Sequence, residues 1–536
     1  MRTLLARRTL FLAATALAVG TAGVSLAVAP GSAFAQSAVT VAVTSPQAGG
    51  VLTGTSATLE ATATPTSGNS IICVSFYLNG SDDIADTCSP SSGSATGQGT
   101  YAASWNASQS FSQGVQQLTA VAQDSSGASS TSAPVEVVVD PGQFIGVTPY
   151  RVLDTRTGTG VYSINGNFQP SGGAVASHET VDLQVSGQGG VPSSGVSAFV
   201  LNVTVTEPQQ GGYLTVFPYG ASQPTASNLN FVGGQTVANL VTVGDGTGGY
   251  DVSIYNGSPG TVQIVADVVG YYTDGSTDTT SSAGRLVGLT PARVLDTRNG
   301  TGGVTGPIQA DQVISFPVLG QGGVPSSGVA GVVFNLTETD PTAAGYLTAW
   351  PSEAGQPLAS SLNFTAGETV PNLVELPVDA SGKVSIYNGS PGTVQLVADV
   401  VGYYTDSSAP AKLSGLYTAL QPSRILDTRF GTGAPIAPLG PHATLTLQVT
   451  GAGDVPAAGV AAVALNVTVT APQQPGYLTV FPTGGSQPLA SNLNFVPGQT
   501  VPNLVISAVN AQGQVSIYNG SGGSIEVVAD AQGFFG

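Results

Sequence analysis

Arg151-Val152-Leu153-Asp154-Thr155-Arg156 returns as Arg293-Val294-Leu295-Asp296-Thr297-Arg298 and again as Arg424-Ile425-Leu426-Asp427-Thr428-Arg429. A block that recurs with its charges at fixed offsets marks an internal repeat, and the repeat governs how every other residue is read. Working outward, the same blocks follow each copy in the same order. A turn carrying Val-Pro after Gly190, Gly323 or Asp454 leads into Leu201-Asn202-Val203-Thr204-Val205-Thr206, Phe334-Asn335-Leu336-Thr337-Glu338-Thr339 or Leu465-Asn466-Val467-Thr468-Val469-Thr470. Next come Gly212 to Pro218, Gly345 to Pro351 and Gly476 to Pro482, each opening Gly-Tyr-Leu-Thr, and then a Leu-Asn-Phe block at Leu229, Leu362 and Leu493. Every copy closes with Ile-Tyr-Asn-Gly at Ile254, Ile386 and Ile517. Val265-Ala266-Asp267-Val268-Val269-Gly270-Tyr271-Tyr272 or its counterpart from Val397 or Val528 comes last.

Alternating apolar and polar residues in these blocks have the period of a half-buried strand. Each copy spans about 120 to 130 residues with eight or nine expected strands, far longer than a solenoid or propeller-blade repeat. The expectation is an all-β chain ending in three tandem antiparallel β-sandwich modules, residues 144–273, 286–405 and 417–536, each with its own core. Thr/Ser-rich segments at 274–285 and 406–416 are expected as linkers, giving beads on a string.

Ahead of the repeats, residues 36–140 keep the strand rhythm with different blocks: Ala57 to Ala63, Cys73 to Leu78, Tyr101 to Trp105, Gln117 to Ala122 and Val135 to Val139. Seven or so strands in about 100 residues suggest a sandwich. Cys73 and Cys88 are the only cysteines, and in an exported chain such a pair reads as one structural disulfide. A redox or metal site would need a closer pair or nearby histidines, and His178 and His442 lie far off in the sequence. Thr44 to Gly50, Val74-Ser75-Phe76-Tyr77-Leu78-Asn79-Gly80 and Leu118-Thr119-Ala120-Val121-Ala122-Gln123-Asp124 resemble the bacterial immunoglobulin-like domains of surface and secreted proteins. That resemblance implies a spacer or adhesive unit. Residues 36–140 contain no Lys or Arg, so a lysine-based isopeptide crosslink is excluded.

The three repeats resemble tandem modules of exported actinobacterial cell-envelope proteins. These share the Leu-Asp-Thr-Arg, Leu-Asn-Val-Thr-Val-Thr, Gly-Tyr-Leu-Thr-Val-Phe-Pro and Ala-Asp-Val-Val-Gly-Tyr-Tyr blocks and often accompany peptidoglycan hydrolases, peptidases or Ig-like domains. The resemblance implies a setting at the envelope and names no activity for the module. The third copy departs from the pattern, with Ala531-Gln532 for Val-Val and Phe534-Phe535 for Tyr-Tyr.

Of 536 residues, 41% are hydrophobic, enough for buried cores, whereas charged residues reach only 8% against about 25% in an average soluble domain. The formal charge is −18 and the few cations form no basic stripe, so nucleic acid and anionic membranes are poor partners. Residues 1–35 carry Arg2, Arg7 and Arg8, an apolar run from Leu10, and Ser32-Ala33-Phe34-Ala35, the order of a cleavable secretory signal peptide. An uncleaved anchor is the alternative, since about 20 apolar residues span a bilayer. Every later apolar run is interrupted sooner, so the expected location is secreted, extracellular or cell-wall associated, without membrane contact after cleavage.

Cleavage leaves 9 cations, and 6 of them stand in the repeated blocks: Arg151, Arg156, Arg293, Arg298, Arg424 and Arg429. In one reading they pair with Asp154, Asp296 and Asp427 in the same block and with Asp267, Asp399 and Asp530 in the last strand, where a half-buried carboxylate needs a partner. This would latch the first strand to the last. In a second reading the same groups, with Tyr255-Asn256 and their equivalents, floor a carbohydrate site in each repeat. The latch is preferred, because a recurring polar residue beside apolar strands more often pairs than binds. Asn202, Asn335 and Asn466 begin Asn-x-Thr, and Asn256, Asn388 and Asn519 begin Asn-Gly-Ser. The first set falls inside strands and the second in hairpin-like Asn-Gly turns, so both are read as structural and not as glycan acceptors.

No metal or cofactor is expected, because neither a His/Cys cluster nor a calcium-loop spacing occurs. No catalytic residue is assigned either: a nucleophile needs a base in the same site, and the second copy keeps every block without a histidine. The expected function is that of an exported, non-enzymatic modular protein of the envelope or matrix. It acts in adhesion or wall association, with a cell-wall glycan or another surface protein as partner. A peptidoglycan- or carbohydrate-binding protein with one site per repeat is the second hypothesis, and a glycoside hydrolase the third.

Overall fold

The computed structural model describes residues 38–47, 50–52, 57–80, 82–105, 114–139, 142–274, 282–410 and 414–536. The expected leader, residues 1–35, and parts of both expected linkers lie outside the described residues. Every regular element among the described residues is a β-strand, as the sequence predicts, and no helix there is long and apolar enough to cross a membrane.

The Ig-like unit is a sandwich of two sheets. One runs Thr40–Ser45, Ala57–Thr64, Gly99–Trp105, Ser92–Gly93; the other runs Gly50–Leu52, Val135–Val139, Gly114–Asp124, Ile71–Leu78, Asp82–Thr87. Strict alternation turns Leu59, Ala61, Phe76, Leu78, Leu118 and Ala120 inward, where none is exposed. The Cys73–Cys88 disulfide ties the strand Ile71–Leu78 to the chain just after its edge neighbour.

Each repeat folds as two facing sheets. The inner sheet orders an opening, a closing, a central and a fourth strand. In the first repeat these are Phe144–Asp154, Gln263–Thr273, Val196–Thr206 and Val237–Gly244. The second repeat has Leu286–Asp296, Gln395–Thr405, Val329–Thr339 and Val370–Pro377, and the third Tyr417–Asp427, Glu526–Phe535, Ala462–Thr470 and Val501–Ala508. The outer sheet is built around Val252–Asn256 and Gly212–Pro218 and their counterparts Lys383–Asn388 with Gly345–Pro351 and Gln514–Asn519 with Gly476–Pro482. Leu201, Val203 and Val205 point between the two sheets and pack with Leu214, Val216 and Ile254.

Beads on a string is not what forms. The central strand Val196–Thr206 is buried at nearly every position, because the inner sheet has two apolar faces and not one. A solvated bead would leave the second face in water, so the three inner sheets pack those faces against one another around a pseudo-threefold axis. The shared core takes Phe144, Val200, Leu240 and Tyr272 from the first repeat, Leu286, Val333, Leu373 and Tyr404 from the second, and Tyr417, Leu504, Ile506 and Phe535 from the third. Phe144 stacks on Tyr404 at 4.1 Å and Tyr272 on Tyr417 at 4.2 Å, each pair crossing between repeats.

Residues of the two expected linkers, with Gly142 ahead of the first repeat, carry the closure. Phe144 N–H donates to Gly284 O (2.9 Å), Leu286 N–H to Gly415 O (2.7 Å) and Tyr417 N–H to Gly142 O (2.9 Å). These head-to-tail contacts close on themselves after three copies, so the ring has no free end.

Candidate functional site

The opening, closing and central strands place Arg151, Asp267 and Asn202 opposite one another in a cross-strand row. Arg151 Nε and Nη2 donate to Asp267 Oδ1 and Oδ2 at 2.6 and 3.2 Å, and Nη1 reaches Asp154 Oδ2 at 3.4 Å. Arg156 forks onto Asp154 through Nε at 2.9 Å and Nη2 at 2.7 Å. The second repeat repeats the pattern, with Arg293 on Asp399 at 2.9 and 3.0 Å and Arg298 on Asp296 at 2.9 and 2.8 Å. So does the third, with Arg424 on Asp530 at 2.9 and 3.1 Å and Arg429 on Asp427 at 2.9 and 2.7 Å.

All six block arginines thus have carboxylate partners, in the fork geometry that suits guanidinium. The Arg298 guanidinium beside Asp296 holds that carboxyl below its usual range, and Arg429 does the same to Asp427. Burial instead pushes the Asp267, Asp399 and Asp530 carboxyls up against the pull of Arg151, Arg293 and Arg424.

The carboxylate row also faces the neighbouring repeat. The Ser360 N–H of the second repeat donates to Asp267, while Asn202 Nδ2 donates to Ser360 O at 2.6 Å. Asn372 Nδ2 donates to Asn202 Oδ1 at 2.8 Å, and Leu240 N–H to Asn372 Oδ1 at 3.1 Å. The set recurs with Asn335, Asn503 and Leu373 between the second and third repeats, and with Asn466, Asn239 and Leu504 between the third and first. Sequence reasoning missed Asn239, Asn372 and Asn503. The available signal was an asparagine recurring within the otherwise apolar Val-Ala/Pro-Asn-Leu-Val.

Tyr255 and Asn256 stand on the outer sheet, with no hydrogen bond to the Arg–Asp network. Asn256 is fully buried and its Nδ2 donates to Val175 O, Ala176 O and Gly260 O at 3.2, 2.9 and 3.0 Å, which leaves it no role as a glycan acceptor. Tyr255 OH lies 2.7 Å from His178 Nδ1, and in the second repeat Tyr387 donates to Asp311 at 2.6 Å, which pushes that phenol up to about 12. The Asn-Gly pair is no type I′ turn. Gly389 serves close approach, since a Cβ there would fall 2.3 Å from Tyr346 Cζ.

Two buried acids have no counterpart in the other repeats. Glu375 replaces Thr242 and Ile506 at the shared core, where Tyr404 donates to it at 2.8 Å and lies 2.7 Å from the Tyr272 hydroxyl. Burial lifts Glu375 to about 7. Glu338 replaces Val205 and Val469 inside the second sandwich, its oxygens have no hydrogen-bond partner among the described residues, and burial lifts it to about 9. No group of three or more metal-ligating side chains occurs among the described residues.

No curated protein matches the chain in sequence. Among solved structures, a tetra-tandem repeat in the extending region of a large adhesion protein is 15% identical and covers 92% of this chain and 95% of that one, with a TM-score of 0.19. A Sulfolobus Turreted Icosahedral Virus structure is 11% identical over 73% of this chain and 91% of that one, with a TM-score of 0.14. The E. coli alpha-2-macroglobulin is 13% identical over 87% and 27%, with a TM-score of 0.15. Likenesses this weak carry no weight for fold or function. Residues 40–120 match the Bacterial Ig domain family.

Proposed function

We propose that the chain is an exported, non-enzymatic surface protein in which the three repeats form one closed head and the Ig-like unit its stalk, working by adhesion or wall association. The observation that carries this reading is the closure itself. In every repeat the recurring arginines, aspartates and asparagines satisfy one another within or between repeats. The Bacterial Ig domain match and the Cys73–Cys88 disulfide support a setting outside the cytoplasm.

The test is sedimentation of the chain lacking residues 1–35 with intact bacterial cells, purified peptidoglycan and chitin, with soluble sugars and peptides assayed in the supernatant. Pelleting with at least one of these surfaces and no product release is the expected result. A chain that stays in the supernatant throughout, or one that releases product, overturns the proposal.

A further inference from the structure

At one end of the axis the three repeats line an open pocket of about 300 Å³. It is lined by equivalent residues of all three: Asn230, Asn363 and Asn494 from the Leu-Asn-Phe strands, and Gln235, Glu368 and Gln499 from the turns that precede the fourth strands. The inter-repeat junctions lie at the opposite end. Val237 at the cavity pairs with Val205, whereas Gly244 pairs with Ala198, which in turn pairs with Tyr272 beside the junction. The strand between them has 8 residues, which spans roughly 25 Å. Gly142 pairs with Tyr417 at the junction end, so the chain enters the repeats at the end remote from the cavity.

The hydrogen bonds already made determine what the cavity offers. Asn230, Asn363 and Asn494 each use Oδ1 to accept a serine hydroxyl, from Ser227, Ser360 and Ser491 at 3.1, 3.2 and 3.1 Å. That fixes each amide's orientation and leaves its Nδ2 without a protein partner among the described residues. Gln235 and Gln499 use Oε1 to accept the N–H of Val232 and Val496, both at 3.1 Å, leaving Nε2 open. Glu368 plays the same part with Oε2 towards Thr365 N–H at 3.0 Å, leaving Oε1 open.

Carboxamide donors therefore surround a single charged acceptor, against apolar wall contributed by Ala238, Pro371 and Pro502, whose neighbours Val237, Val370 and Val501 turn into the sandwich cores. No Lys or Arg lines the cavity, so a phosphate or other polyanion meets no counter-charge. One carboxylate is too few for calcium. An uncharged ligand rich in hydroxyl and carbonyl oxygens satisfies the donors while one of its hydroxyls donates to Glu368. The volume lies at the small end of ligand sites, roughly 300–1,000 Å³, which suits one sugar ring.

We infer that the three repeats together form one saccharide-unit site on the axis, a single site per chain and not one per repeat. The inference deepens the surface-acting reading and rests on it for the source of the sugar.

The test is calorimetric titration of the chain lacking residues 1–35 with N-acetylglucosamine and with glucose, alongside two variants. Ala238→Phe projects a ring into the cavity from a lining position. Glu368→Gln installs the residue that the other two repeats carry, so it keeps the turn and removes only the charged acceptor. One saturable site per chain, abolished in Ala238→Phe and weakened roughly tenfold in Glu368→Gln, is expected. Binding of three equivalents, binding by Ala238→Phe equal to the parent, or no binding of either sugar overturns the site. If Ala238→Phe does not fold, the Glu368→Gln titration decides alone, an unchanged affinity being the overturning result. Sedimentation with cells that persists while sugar titration fails removes this site and leaves the surface reading intact; loss of both removes the surface reading too.

Discussion

Glu338 shows what one substitution at a repeated core position does. The first and third repeats have Val205 and Val469 there, fully buried, and the second sets a carboxyl in the same apolar interior. Its native form keeps a proton up to about pH 9, whereas an unfolded glutamate loses it near 4.5. Between these values the native state binds more protons, so this residue's contribution to stability is fully present below about pH 4.5 and is lost as pH rises towards 9. Glu338→Val is expected to raise the melting temperature at neutral pH and to flatten its decline across that window, read by thermal denaturation at a series of pH values. An unaltered slope would show that the carboxyl is solvated. The latch makes a second prediction. Asp399→Ala leaves the Arg293 guanidinium, with its side chain 21% exposed, without its main partner, at a cost of roughly 3–5 kcal/mol. Arg298→Ala removes a side chain that is 46% exposed, while Asp296 keeps Arg293 and a backbone N–H, so the loss should be about 1 kcal/mol or less. Urea denaturation of the two variants checks the ranking, and equal losses would contradict it.

The elements were legible where one physical rule sets them. Alternation located the strands of the Ig-like unit and the order of blocks in each repeat, because burial on one side of a pleated strand leaves a period of two. The same rule failed at the central strand: alternation puts the polar positions of a half-buried strand in solvent, yet Asn202 and Thr204 are buried, and Asn202 bonds across to the neighbouring repeat. A polar residue that meets a partner across an interface looks, in sequence, like one that meets water. The cation partners were recoverable from scarcity of charge, whereas Asn239, Asn372 and Asn503 lay in a block whose apolar neighbours conceal a doubly covered strand. Asn503→Ala tests that element. It strips a donor from Asn335 Oδ1 and Asn492 O and an acceptor from Leu373 N–H, each a buried group costing about 1–3 kcal/mol when unpaired. Hydrogen exchange should show the Leu373 amide losing protection, and unchanged protection there would mean that the repeats are not tied through it.

For the whole molecule, closure predicts how a fragment behaves. Residues 417–536 alone would uncover Tyr417, Leu504, Ile506 and Phe535, each worth roughly 1.5–3 kcal/mol when buried. The same fragment carries both halves of the inter-repeat tie, Asn466 and Asn503. It is expected to assemble into a trimer, seen by light scattering on a sizing column, and a folded monomer would refute the arrangement. The corresponding trimer of residues 286–405 would bring three copies of Glu375 to its core and should form more readily at pH below about 7 than above it. Covalent fusion removes that restriction. A homo-oligomer must place every side chain on its axis in triplicate, but here the equivalent positions hold Thr242, Glu375 and Ile506, and at the cavity Gln235, Glu368 and Gln499. Shape repeats threefold while charge does not, so a guest on the axis meets one acidic direction instead of three interchangeable ones, and its degenerate rotational poses reduce to a single preferred orientation.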